Sequence, residues 1–148
     1  MTSFGGSSTD TGMNNDSMAT SSGPVKGFFI IRPVEAKFIA DSHLNPDMYP
    51  YCKIKLGWHT AKTDISSRKG LNPCWPDVIS LDRKHGEKIL KVKIKDKNSL
   101  SISTVIAEIK VPLDEVIANG AIIQWFNLEK KHKIVGEILL DIAYSQTV

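Results

Sequence analysis

The chain has 148 residues, 41% of them hydrophobic, and 19 Lys and Arg against 16 Asp and Glu give a net charge of +3. That length and apolar content suit one domain with a core of ordinary size. No apolar run approaches the ~20 residues needed to span a bilayer, which excludes a membrane-spanning helix within these residues.

The start, Met1-Thr-Ser-Phe-Gly-Gly6, lacks the basic and apolar regions of a secretory signal and the glycine that myristoylation requires, and Ser145-Gln-Thr-Val148 carries no prenylation cysteine. Charge is unevenly spread. Residues 1–24 hold Asp10, Asp16 and no Lys or Arg, so they carry −2 and the rest of the chain carries +5. A modest basic excess on a small domain points to an anionic partner, a membrane surface or an acidic protein. It is too small to argue for nucleic acid, and none is expected.

In chain order, residues 1–25 are rich in Ser, Thr, Gly and Asn, with almost no apolar content beyond Phe4. Such a segment buries too little surface to offset its ordering entropy, so a disordered tail is expected there and a folded domain over 26–145. Gly27 to Ala40 reads as a first strand with a bend at Pro33. Asp41 to Met48 is a loop. From Tyr51 the residues alternate, with Tyr51, Lys53 and Lys55 on one face and Cys52, Ile54 and Leu56 on the other, which is the period of a half-buried strand. A tight turn at Gly57 leads to a short third strand over Trp58–Asp64. Ile65 to Pro73 is a second loop carrying Arg68 and Lys69. Trp75 to Leu81 is a fourth strand.

Lys88 to Lys95 is the clearest strand, with Leu90, Val92 and Ile94 facing in and Lys91, Lys93 and Lys95 facing out. Asp96 to Ser103 is a third loop, followed by a sixth strand over Thr104–Val111. Pro112 to Ala118 reads as one helical turn before Asn119-Gly120. Ile122–Asn127 and Ile134–Tyr144 supply strands seven and eight. Eight short strands separated by turn signals predict an all-β fold, an eight-stranded antiparallel β-sandwich. Cys52 and Cys74 read as buried thiols in a reducing compartment. Trp58, Trp75 and Trp125 read as core or edge aromatics.

Tyr49-Pro50-Tyr51 before an alternating strand, Leu71-Asn-Pro-Cys-Trp75, Leu90-Lys-Val-Lys-Ile-Lys-Asp96, Ile106-Ala-Glu-Ile-Lys-Val-Pro-Leu113, Trp125-Phe-Asn-Leu128 and Gly136-Glu-Ile-Leu-Leu-Asp-Ile142 follow one another in this chain. In order and spacing this series resembles the C2 domain, over roughly residues 26–144. The closing Gly-Glu-Ile strand and the absence of a strand ahead of Gly27 resemble the second of that family's two permuted Greek-key topologies.

Many C2 domains hold calcium with about five loop aspartates, since the ion takes six to eight oxygens, mostly carboxylate. Carried over, those positions are His43, Tyr49, Asp96, Asn98 and Thr104 here. One carboxylate of five remains, with Asp41 and Asp47 nearby. Neither calcium nor any other cofactor is therefore expected.

Two surfaces are candidates for lipid binding, the first read from the residues themselves and the second implied by the resemblance. One is the loop end, with Leu44 and Met48 in the first loop, Arg68 and Lys69 in the second, and Leu100 and Ile102 in the third. Apolar tips beside cations suit an anionic leaflet, and tips that pack on one another are the alternative. The other is a lysine-rich strand face. Tyr51, Lys53 and Lys62 match that family's aromatic and basic positions, and Lys91 and Lys93 add charge. The family's tryptophan ahead of the third loop is Lys95 here, and its asparagine late in that loop is Ser103. A solvated face that keeps the sheet soluble is the alternative for these lysines.

Enzyme signatures are absent. His43, His59, His85 and His132 are scattered, a pair between Cys74 and a histidine is outweighed by Cys74 packing at a strand start, and no nucleophile motif, phosphate loop or zinc spacing occurs. The expected function is calcium-independent, non-catalytic docking on anionic lipid by a cytoplasmic protein peripheral at membranes. A protein-interaction module is the alternative, and residual calcium control through Asp41, Asp47 and Asp96 a third reading.

Overall fold

The computed structural model describes residues 26–40, 44–97 and 103–147. The tail expected at 1–25, together with Asp41, His43, Asn98, Leu100 and Ile102, lies outside the described residues.

The strands are β1 (Gly27–Phe38), β2 (Pro50–Leu56), β3 (His59–Lys62), β4 (Ile79–Arg83), β5 (Ile89–Lys97), β6 (Ser103–Pro112), β7 (Ala121–Lys130) and β8 (Lys133–Gln146), with a short helix α1 (Asp114–Asn119) between β6 and β7. They hydrogen-bond in the order β3-β2-β5-β6-β7-β8-β1-β4, each pair antiparallel. β6 and β7 share only the pair Glu108–Glu129. The ladder therefore folds into two four-stranded leaves: β3-β2-β5-β6, and β7-β8-β1-β4. Period-two alternation turns Cys52, Ile54, Leu56, Leu90, Val92 and Ile94 of the first leaf toward Phe29, Ile31, Ile138, Leu140 and Ile142 of the second, and all of them are fully buried. This is the eight-stranded antiparallel sandwich expected from the sequence.

Several strand ends shift by one to three residues, and two boundaries move for identifiable physical reasons. The fourth strand begins at Ile79 rather than Trp75, because the earlier residues are engaged elsewhere. Ala36 N–H donates to Pro73 O, Trp75 N–H donates to Val34 O, and the Trp75 indole N–H donates to Pro50 O at 3.0 Å. The two backbone bonds fall beside the bulge between Pro33 and Glu35, which is the bend expected at Pro33. The helical turn begins at Asp114 rather than Pro112, because Pro112 still pairs with Ile89 in the sheet. It ends at Gly120, whose φ of 88° suits a left-handed C-cap and whose N–H reaches Val116 O.

Antiparallel order places residues 39–40, 44–49 and 63–78 and the Lys131-His132 turn at one end of the sandwich, with the end of β5 and the start of β6. The Gly57-Trp58 turn, residues 84–88 and α1 lie at the other end. Lys131 and His132 take φ values of 50° and 66°, between the paired residues Lys130 and Lys133. A two-residue hairpin turn with positive φ at both positions suits Asn-Gly far better than Lys-His. Replacement of His132 by glycine is therefore expected to stabilise the domain by about 1 kcal/mol, a rise of a few degrees in Tm by calorimetry. An unchanged or lowered Tm would show that the turn holds no such strain.

Candidate functional site

The site is built on the outward side of the first leaf. Register places Lys62, Lys53 and Lys93 side by side across β3, β2 and β5, with Glu108 of β6 next in the row. Two residues along, Thr60, Lys55, Lys91 and Lys110 form a second row. Toward the loops, Tyr51 pairs with Lys95 and Lys95 with Val105. Neighbouring strands lie ~4.8 Å apart and successive same-face residues ~6.8 Å apart. Lys53, Lys55, Lys62, Lys91, Lys93, Lys95 and Lys110 thus stand within about one Debye length of their neighbours, ~8 Å at physiological salt, and act as one positive field.

Glu108 is the only acid in these rows. Among the described residues the one ion pair lies elsewhere, Lys69 Nζ to Asp47 Oδ1 at 3.4 Å. Like charges directly opposite one another destabilise a sheet by ~0.2–1 kcal/mol per pair. The fold gains nothing from this arrangement; an anion would.

Tyr51 lies on this face but is only 8% exposed, with Lys62 Nζ 5.9 Å from its ring centroid. It supports Lys62 from beneath rather than presenting its own ring. Lys55 and Lys110, absent from the candidate set read from sequence, belong to the same face. Lys55 was visible in the alternation of β2. Lys110 becomes a neighbour of Lys91 only through the β5–β6 pairing.

At the loop end Met48 is corrected. It is 2% exposed and part of the core, so it offers no insertable tip. Its carbonyl receives the Gly70 N–H at 2.8 Å, and its N–H donates to Asn45 O. The Gly70 bond ties the first loop to the second. Leu44 is half-buried against the core. Arg68 is exposed, held by its N–H to the Ser66 hydroxyl, which also donates to the Arg68 carbonyl and accepts the Cys74 N–H. Lys69 is exposed beside its weak Asp47 partner. Exposed apolar residues do occur at this end, but among the described residues they are Ile39, Tyr49, Ile65, Val78 and Ile134.

The described positions that would hold calcium are Tyr49, Asp96 and Thr104: a phenol, one half-buried carboxylate and a hydroxyl. Asp47 is engaged with Lys69. Among the described residues no group of three His, Cys, Asp or Glu is placed to hold a metal. These three described positions supply one carboxylate, where the ion takes six to eight mostly carboxylate oxygens.

Cys52 is fully buried, and burial first, then the charge of Asp77, pushes its thiol well above the usual value, which makes it a packing residue. Cys74 is half-buried rather than buried, 3.5 Å from the Ser67 hydroxyl. Trp75 is core as read, but Trp58 is not: it stands 90% exposed on the β2–β3 turn.

A family model described as the C2 domain matches residues 28–128. The chain is 28% identical over 125 residues to Multiple C2 domain and transmembrane region protein 2 of Arabidopsis thaliana, an alignment covering 78% of this chain and 12% of that protein. It is 26% identical over 112 residues to the 16 kDa phloem protein 2 of Arabidopsis thaliana, covering 75% of this chain and 76% of that one. Among solved structures, a C2 domain-containing protein superposes with a TM-score of 0.75 at 26% identity, covering 89% of this chain and 97% of the other.

Proposed function

This chain belongs to the C2 domain family, and we propose that it is a non-catalytic module that docks on anionic cytoplasmic membrane surfaces without calcium. The observation that carries this reading is the pair of lysine rows on the first leaf, Lys62-Lys53-Lys93 and Lys55-Lys91-Lys110, with Glu108 as their only acid. Each cation held near an anionic leaflet contributes up to ~1 kcal/mol, so four engaged lysines give ~4 kcal/mol, about a thousandfold in partitioning. Arg68 and the exposed Ile39, Tyr49 and Ile65 add a second contact at the loop end. The attachment proposed is peripheral; no helix among the described residues is long and apolar enough to cross a membrane. The donor chemistry at Tyr49, Asp96 and Thr104 supports calcium independence.

The test is sedimentation with phosphatidylserine-containing vesicles, run with a chelator and with calcium side by side. Equal binding in both is expected. Binding only with calcium would contradict the reading, as would none in either.

A protein-interaction role is favoured by one observation. The outer face of the second leaf aligns Trp125 with Leu139 and leaves Ile123 71% exposed, an apolar stripe of the kind partner proteins cover. Salt-insensitive capture of a protein with no lipid affinity would select that role instead.

A further inference from the structure

We propose that Trp58 is the membrane anchor of the lysine face. It enters the headgroup layer when β2, β3 and β5 lie against an anionic bilayer, so that the domain docks face-down rather than loop-end first. The proposal rests on the lipid reading above and adds an orientation and an inserting residue to it.

Trp58 occupies a two-residue turn between the paired residues Leu56 and His59. Gly57 supplies the turn's positive φ, 59°, and among the described residues the positive-φ positions outside glycine are Lys131 and His132, so Trp58 has an ordinary negative φ. Glycine at the first central position and any residue at the second satisfies such a hairpin. The turn does not need tryptophan, and 90% exposure shows that the core does not use it.

Trp58 borders a shallow recess of about 410 Å³ together with Lys55, Lys88 and Lys91. Lys55 and Lys91 are a paired couple of the second lysine row. The exposed Ile89, two residues before Lys91 and on the same face, also lines the recess. An amphipathic ring and an aliphatic side chain ringed by lysines match the region between headgroup phosphates and acyl chains, where tryptophan concentrates.

The one acid of this recess is Glu87. Its Oε1 accepts the N–H groups of Lys84 and His85 at 3.1 and 2.9 Å. Burial pushes its carboxyl up, but the backbone hydrogen bonds from His85, Glu87 and Lys84 and the nearby His85 outweigh that and hold it below the usual range. Glu87 is therefore a charged brace of the 84–88 turn, directed at backbone N–H groups. The lysines around Trp58 remain available, and that charge pattern selects an anionic surface as the occupant.

The experiment is tryptophan emission of wild type and Trp58→Phe titrated with phosphatidylcholine vesicles containing phosphatidylserine, with and without acyl-brominated lipid. Affinity is measured in parallel by sedimentation, including Trp58→Ala. Trp75 is buried and the half-buried Trp125 lies on the second leaf; both are kept in Trp58→Phe, so the difference between wild type and that variant isolates Trp58. The expected result is a blue shift and bromine quenching in wild type, both lost in Trp58→Phe, and about tenfold weaker binding for Trp58→Ala. Vesicle binding with an unshifted, unquenched Trp58 would overturn the anchor and leave the lysine-face reading standing. A blue shift that requires an added protein instead of lipid would overturn it too. No binding to vesicles at all would remove both.

Discussion

Replacement of Lys53, Lys62 and Lys93 together by glutamine is expected to weaken binding to phosphatidylserine-containing vesicles by about a hundredfold, since each loses up to ~1 kcal/mol of attraction. The three sit in one row across β3, β2 and β5. Removing them takes out the centre of the positive field while keeping the aliphatic stems. The same variant is expected to be no less stable than wild type, and up to ~1 kcal/mol more stable, because opposed like charges disappear. Weaker binding with equal or higher Tm separates this from a folding defect. Lys26, Arg32 and Lys37 belong to the end and outer face of the second leaf and are exposed. Their triple substitution by glutamine makes the same change in net charge, and less than about threefold loss is expected. Equal losses in the two variants would mean that net charge, not this face, drives attraction.

Replacement of Gly136 by alanine is expected to cost about 3 kcal/mol and to lower Tm by on the order of 10 °C. Gly136 of β8 is buried between Phe38 of β1 and Leu128 of β7. A Cβ there would collide with the Lys37 carbonyl oxygen and come within 3.0 Å of Phe38 Cα and 3.1 Å of its Cδ1. Two of these atoms are backbone, so relief requires the β1–β8 pair to part next to the Ile39 N–H to Val135 O bond that closes its end. That pair joins the first and last strands of the domain, and few substitutions offer so little room. Thermal unfolding of the variant measures the effect. A Tm within two degrees of wild type, roughly 0.5 kcal/mol, would show that the strands part easily.

Much of the sandwich was legible because strands announce themselves by period two, as Leu90, Val92 and Ile94 do against Lys91, Lys93 and Lys95. The Gly136-Glu-Ile signature was legible as a motif, and the close approach of Lys37 and Phe38 supplies its reason. Three features were not legible, for distinct reasons. Met48 has the hydropathy of an insertable tip, but whether a loop methionine points out or in depends on a tertiary bond, here Gly70 N–H to its carbonyl. Lys110 lies far in sequence from Lys55 and joins its row only through two successive strand pairings, which local pattern cannot fix. Trp58 was assigned by residue type to a core or edge. Its place in a two-residue turn after Gly57 was the signal that it must be exposed, since a hairpin tip has no leaf above it.

The most direct test of the account is a salt titration of vesicle binding by the wild-type chain in the presence of chelator. If seven lysines on one face drive docking, affinity is expected to fall steeply, by at least tenfold between low and physiological ionic strength, as the field is screened. Affinity that holds constant across that range, or that exists only once calcium replaces the chelator, would contradict it.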